Sequence, residues 1–171
     1  MAAKGNDAAP QRRAVVHTLG CRLNQTESVL IEERLEALGY AVGPEVADAD
    51  LVVVHTCCVT REAQAKSRQQ LRRLRRLHPR ARVVALGCYA DLRPEELGEA
   101  SGADLAVGNA AKLEVEVWLA GAGPLPPERI DAVRAGTFKV PFSPTDVPIA
   151  RRMHLKIQEG CDNRCSYCVV W

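Results

Sequence analysis

Apolar and polar positions along this chain alternate between two rhythms. Short apolar runs end at glycine or a polar cluster, and most are followed by apolar residues at helical spacing. Arg13–Gly20 is the first run, with the character of a buried strand. Asn24 and Glu27 then form a capping-box pattern that predicts Asn24 as the N-cap of a helix. Ile31, Leu35 and Leu38 continue it on one helical face. Gly39 stands where a left-handed C-cap belongs, and Tyr40–Val42 opens a short second strand. Asp50–His55 is nearly all β-branched without polar alternation, which predicts a strand covered on both faces. A long helix is predicted over Arg61–Leu77, ended by Pro79, with Leu71, Leu74 and Leu77 on its buried side. Arg82–Gly87 and Asp104–Val107 are further strands, Pro94–Leu97 a helix start and Lys112–Ala120 a helix. His154–Glu159 reads as one more strand, leading into Cys161.

Strand and helix alternate throughout, which predicts βαβ units. The expected fold class is therefore α/β, a flavodoxin-like parallel sheet with helices on both faces. Residues 1–11 read as a disordered lead and residues 12–121 as the α/β domain. A proline- and glycine-rich linker over residues 122–150 follows, and a second domain begins at 151–171.

Composition adds little to this outline. Apolar residues make up 47% and charged residues 26% of the 171 positions, as in ordinary globular chains. The net charge of +2 argues neither for nor against nucleic acid. No apolar stretch approaches the length of a membrane span, and the N-terminus lacks the apolar segment of an export signal. Seven cysteines without such a signal point to a reducing cytoplasm, where thiols serve metals or catalysis more often than crosslinks.

The cysteines carry the chemistry. Cys161, Cys165 and Cys168 have the spacing C-x3-C-x2-C, with Tyr167 directly before the last. Three thiolates on one loop can hold three irons of a cubane cluster and leave the fourth open to a small molecule. Zinc is the competing reading, but zinc sites usually close with four ligands and no histidine follows here. Cys21, Cys57 and Cys88 each follow a predicted strand. At the carboxyl edge of a parallel sheet in flavodoxin-like order, those strands are neighbours about 4.8 Å apart. A second three-thiolate set fits there, and buried structural cysteine is the bland alternative. Gly20 and Gly87 precede two of the three, as close backbone approach to a bulky ligand requires. Cys58 is expected to face away from Cys57 and to be no ligand.

The runs Thr-Leu-Gly-Cys-Arg-Leu-Asn-Gln, Thr-Cys-Cys-Val-Thr, Lys-Ser-Arg-Gln, Gly-Cys-Tyr-Ala and Gly-Cys-Asp-Asn-Arg-Cys-Ser-Tyr-Cys together resemble the methylthiotransferases of the radical S-adenosylmethionine superfamily. The likeness is greatest to the branch acting on N6-threonylcarbamoyladenosine at position 37 of tRNA; branches acting on isopentenyladenosine or on a ribosomal protein are the alternatives. The resemblance implies two [4Fe-4S] clusters, an auxiliary one on Cys21, Cys57 and Cys88 and a radical-generating one on Cys161, Cys165 and Cys168. It also implies S-adenosyl-L-methionine as cofactor, tRNA as substrate, and an electron donor such as flavodoxin or ferredoxin. No catalytic side chain is assigned. The family usually has Asn at the position of His55, Thr at Cys58 and Gln at Asp91. It also continues well beyond Trp171, so the chain is expected to be an N-terminal portion, ending in the first strand and cluster loop of a barrel and inactive by itself. A non-catalytic metal-binding module, or the remnant of an interrupted gene, is the rival expectation.

Two further features have double readings. Lys66, Arg68, Arg72, Arg73, Arg75, Arg76, Arg80 and Arg82 form a basic stretch that could touch tRNA phosphates, but a solvated helix face is favoured. His17 and His55, on strands beside cluster cysteines, read as structural histidines in preference to tuning groups.

Overall fold

The computed structural model describes residues 12–44, 46–98, 100–121, 157–158 and 160–169. The elements run β1 (Arg12–Thr18), α1 (Arg22–Ala37), β2 (Tyr40–Val42), β3 (Leu51–Thr56), α2 (Arg61–Leu77), β4 (Arg82–Gly87), α3 (Cys88–Leu92), a 3-10 turn (Pro94–Glu96), β5 (Leu105–Val107) and α4 (Val115–Ala120). The five strands form one sheet in the order β2-β1-β3-β4-β5, every pair parallel. This is the flavodoxin-like α/β fold that the alternating rhythm predicts.

Strand alternation sorts the core into two layers. Val52, Val54, Val83 and Ala85 point to one side, where Leu71 and Leu74 of α2 pack with Tyr89 and Leu97. Leu51, Val53, Val84 and Leu86 point to the other, against Ile31 and Leu35 of α1 and Val115 and Trp118 of α4. All six residues of β3 are buried, as a central strand covered on both faces must be.

The basic stretch is largely structural. Arg75 donates to the carbonyls of Gly102 and Ala81 and pairs with Asp104. Arg68 bridges Glu96 and the Tyr89 hydroxyl, and Arg72 donates to Ala100 O. Arg82 donates to the carbonyls of Trp118, Leu119 and Gly121, so the central strand β4 satisfies the C-terminal end of α4.

Several local expectations give way. Helix α1 begins at Arg22 with Cys21 as N-cap, so Asn24 lies inside the first turn and caps nothing. The last helix starts at Val115, three residues after the predicted Lys112. Pro94 opens only a 3-10 turn, and α3 was not expected at all. Leu77, expected on the buried side of α2, is 59% exposed. Of the predicted strand His154–Glu159, only Ile157 and Gln158 are described, and neither is in a strand; the rest lies outside the described residues.

Candidate metal centre at the carboxyl edge of the sheet

Because every strand is parallel, the carboxyl ends of β1, β3 and β4 lie side by side. Thr18 is in register with His55, and Thr56 with Gly87. Each of these ends runs directly into a cysteine segment. Cys21 is exposed at the N-cap of α1, Cys57 is buried just past β3, and half-buried Cys88 opens α3. The fold thus brings the three predicted cysteines to one edge. Their thiols, however, each face a local partner. Cys21 Sγ lies 3.4 Å from Asn24 Oδ1. Cys57 lines an open cleft of about 230 Å³ together with Leu19, Gly20, Thr60 and Lys66. Cys88 packs against the core cluster that holds Cys58, its electrostatic neighbour. Among the described residues no three of His, Cys, Asp and Glu stand close enough to hold a metal ion.

The Cys58–Cys88 contact departs from expectation. Cys58 does leave the Cys57 cleft and packs into the α2-side core, yet it meets a second thiol there. The hydrogen bond from Cys58, then the Lys112 ammonium and Asn109, hold the Cys88 thiol at about 6, against the opposing effects of burial and Glu27. Cys58 is pushed upward by the same bond, then by burial and the neighbouring negative groups. The contact thus moves the two thiols in opposite directions, Cys88 down and Cys58 up.

The backbone at this edge is closely packed, and two glycines make that packing possible. Gly20 has φ +100°, and a Cβ there would stand 2.8 Å from Cys57 Cβ and 3.0 Å from its Sγ. Gly87 has φ +95°, and its Cβ would meet the His55 ring at 2.6 Å. Both glycines are therefore obligatory, for left-handed backbone and for contact. Asn24 ties the edge together by donating to Leu19 O at 2.9 Å and Thr56 O at 3.3 Å. Ser67 of α2 holds the other flank, accepting from Cys57 N at 3.3 Å and lying 3.2 Å from Cys57 O. Three soft sulfur donors at adjacent strand ends are the donor type an iron–sulfur group takes.

Beneath this edge lies a buried polar chain that the motif reading did not single out. Thr18 Oγ1 donates to Ser28 Oγ at 2.7 Å, and Ser28 Oγ lies 3.0 Å from His55 Nδ1. His55 Nε2 is 3.7 Å from Glu27 Oε2, which Lys112 Nζ approaches to 2.7 Å. Lys112 also donates to Asn109 Oδ1 at 3.1 Å. Glu27 and His55 are fully buried and Lys112 is 2% exposed. The signal that could have found this chain was the placing of Glu27 and Ser28 on the same helical face as Ile31 and Leu35. His17 stands apart, accepting from Gln70 Nε2 at 2.8 Å; burial first and Arg73 second lower its pKa.

The second set, Cys161, Cys165 and Cys168, is built locally. Each is half-buried, and Cys168 N donates to Cys165 O at 2.9 Å, closing a turn that carries two of the thiols. Gly160 and Arg164 take left-handed backbone, and Tyr167 is 89% exposed.

Comparison with known proteins bears on both sets. The uncharacterized protein family UPF0004 matches residues 13–108, from β1 to the glycine after β5. The chain belongs to that family. Along most of its length, the UPF0004 region included, the chain is 35% identical over 162 residues to the threonylcarbamoyladenosine tRNA methylthiotransferase MtaB of Aquifex aeolicus, covering 92% of this chain and 39% of that protein. It is 35% identical to the protein of the same name from Bacillus subtilis, covering 90% and 35%. A tRNA-2-methylthio-N(6)-dimethylallyladenosine synthase of Chlorobium phaeobacteroides is 29% identical, covering 98% and 38%. The chain thus spans well under half the length of these curated relatives. A response regulator from Burkholderia pseudomallei with a phosphorylated aspartic acid superposes with a TM-score of 0.51 at 20% identity, over 72% of this chain and 73% of that one. That likeness shows the fold alone.

Proposed function

We propose that this UPF0004 protein is a radical S-adenosylmethionine methylthiotransferase that adds a methylthio group to C2 of N6-threonylcarbamoyladenosine at position 37 of tRNA. The observation that carries the proposal is the convergence of Cys21, Cys57 and Cys88 on one edge of a sheet whose sequence matches MtaB proteins over about nine-tenths of the chain. Cys21, Cys57 and Cys88 would hold one [4Fe-4S] cluster, and Cys161, Cys165 and Cys168 a second beside S-adenosyl-L-methionine. When bound, these groups supply one-electron chemistry and sulfur that no side chain can supply. The chain's own part is ligation and placement. Gly20 and Gly87 let the strand ends close tightly on Cys57 and on the His55 ring, Asn24 and Ser67 fix the two flanks, and Arg164 and Gly160 shape the loop that carries the second triad. An electron donor of the flavodoxin or ferredoxin class and a cytoplasmic setting belong to the same reading. Among the described residues no helix is long and apolar enough to cross a membrane.

The dimethylallyl branch is the second reading, favoured by the match over 98% of the chain at lower identity. Deleting the gene in its host and profiling tRNA nucleosides by mass spectrometry separates the two. Loss of the methylthio group from threonylcarbamoyladenosine alone supports the first. Loss from the isopentenyl nucleoside alone supports the second, and no change in either overturns both.

A further inference from the structure

Most of the buried charge in this domain is concentrated at one place, and that place abuts Cys88. Lys112 and Glu27 form an ion pair almost wholly removed from water. Such a pair is expensive to desolvate and is often replaceable by apolar residues without loss of stability, so stability alone is a weak reason for it. Its position offers another reason. Asn109 accepts from Lys112 Nζ at 3.1 Å, and its backbone N–H reaches Asp91 of α3, the helix that Cys88 opens, so one residue joins the ammonium to the cysteine's own helix. From the other side, the His55 ring next to Glu27 lies directly against Gly87, the residue before Cys88. The turn that carries Lys112 is itself anchored, since Trp118 Nε1 donates to Lys112 O at 3.2 Å. Asp91, the other charged group at this turn, is occupied by the backbone N–H of Asn109.

We infer that Lys112 is a positioning residue for the metal group: its buried ammonium, fixed by Glu27 and Asn109, sets the reduction potential of whatever cluster Cys88 helps to hold. This rests on the reading that Cys21, Cys57 and Cys88 hold a cluster. A cubane with three thiolate ligands is anionic and becomes more so on accepting an electron, and its potential follows net charge and hydrogen bonds at the sulfurs. A fixed cation nearby favours the reduced form, whereas a fixed anion disfavours it. In water both effects are screened; in the buried setting of Lys112 and Glu27 they persist. Lys112 and Glu27 therefore act on the cluster with opposite signs.

That sign reversal is the test. The full chain carrying Cys161→Ala, Cys165→Ala and Cys168→Ala is reconstituted anaerobically with iron and sulfide, so that any signal comes from the sheet edge. Midpoint potentials are then read by EPR-monitored redox titration. Lys112→Met is expected to shift the potential to more negative values, Glu27→Gln to less negative values, and Lys112→Arg to leave it near that of the parent. Since Lys112→Met strands a buried carboxylate, the double variant Lys112→Met with Glu27→Gln keeps the test open if the single one fails to fold. The double variant should shift in the Lys112→Met direction by a smaller amount. Iron uptake with no shift, or with both single variants moving the same way, overturns the inference and leaves the cluster reading standing. Failure of the parent to take up iron overturns the cluster reading and the inference with it.

Discussion

The two cysteine triads are brought together by opposite means. Cys161, Cys165 and Cys168 are neighbours because the sequence spaces them so, and one backbone bond between Cys168 N and Cys165 O closes their turn. Cys21, Cys57 and Cys88 reach one sheet edge only because β1, β3 and β4 are parallel and adjacent. A local site survives in a loosened chain, whereas a site assembled by topology disappears with the fold. Damage to the α/β core should therefore separate the two.

The strongest break is expected from Gly20→Val. It places a β-branched side chain in left-handed backbone, against Cys57. In anaerobically reconstituted protein, about half of roughly eight irons should be lost, with the loop triad still loaded. Equal loss from both triads would erase the distinction. Trp118→Ala comes next. Trp118 is fully buried and its indole holds the Lys112 turn, so about 3–5 kcal/mol of stability should go in urea unfolding. The sheet-edge triad should then release iron at lower urea than the loop triad. Thr60→Ala removes the side-chain cap that accepts from Ala63 N at 3.0 Å and should cost about 1 kcal/mol. Its effect on iron should follow stability alone, since Thr60 lines the Cys57 cleft without a sulfur contact of its own.

The smallest effect is that of pH through His17. Burial first and the Arg73 charge second hold its folded pKa below 6.5, and its Nε2 accepts from Gln70 Nε2 at 2.8 Å. Above 6.5 the group contributes nothing that varies with pH. As pH falls below 6.5 the unfolded chain takes up a proton that the folded chain resists, so stability declines until the folded pKa is passed. Urea midpoints of His17→Gln should lack that decline, and an unchanged slope would assign it to another group.

The sheet was legible because its signals are local and redundant. Val52, Val53 and Val54 allow little but a buried strand, and Gly39 ends α1 with φ +85° as expected. The capping-box pattern misled for a physical reason. Asn and Glu three apart satisfy a local rule, but here both point inward and find long-range partners, Asn24 on Leu19 and Thr56, Glu27 on Lys112. A tertiary partner overrides a local propensity where burial makes it worth more. The same blindness hid Lys112, which reads as the first residue of a helix and is in fact a buried cation in the preceding turn. The convergence of Cys21, Cys57 and Cys88 on one edge was readable from topology, whereas the turn of Cys88 toward Cys58 was not, because side-chain direction past a strand end follows no alternation.

The all-parallel sheet also imposes an order in time. No two paired strands are joined by a hairpin; each waits for a crossover, so every pairing is non-local and slow relative to helix formation. Synthesis proceeds from the N-terminus, and β3 must insert beside β1 before β4 has a place to dock. Cys21 is thus made early and stays solvent-facing while its two companions are still inside the ribosome or unplaced. A newborn chain carries this thiol alone and accessible for the whole interval. A group that needed all three sulfurs could be installed only after β4 has docked beside β3, so its loading would follow the folding of this part of the sheet.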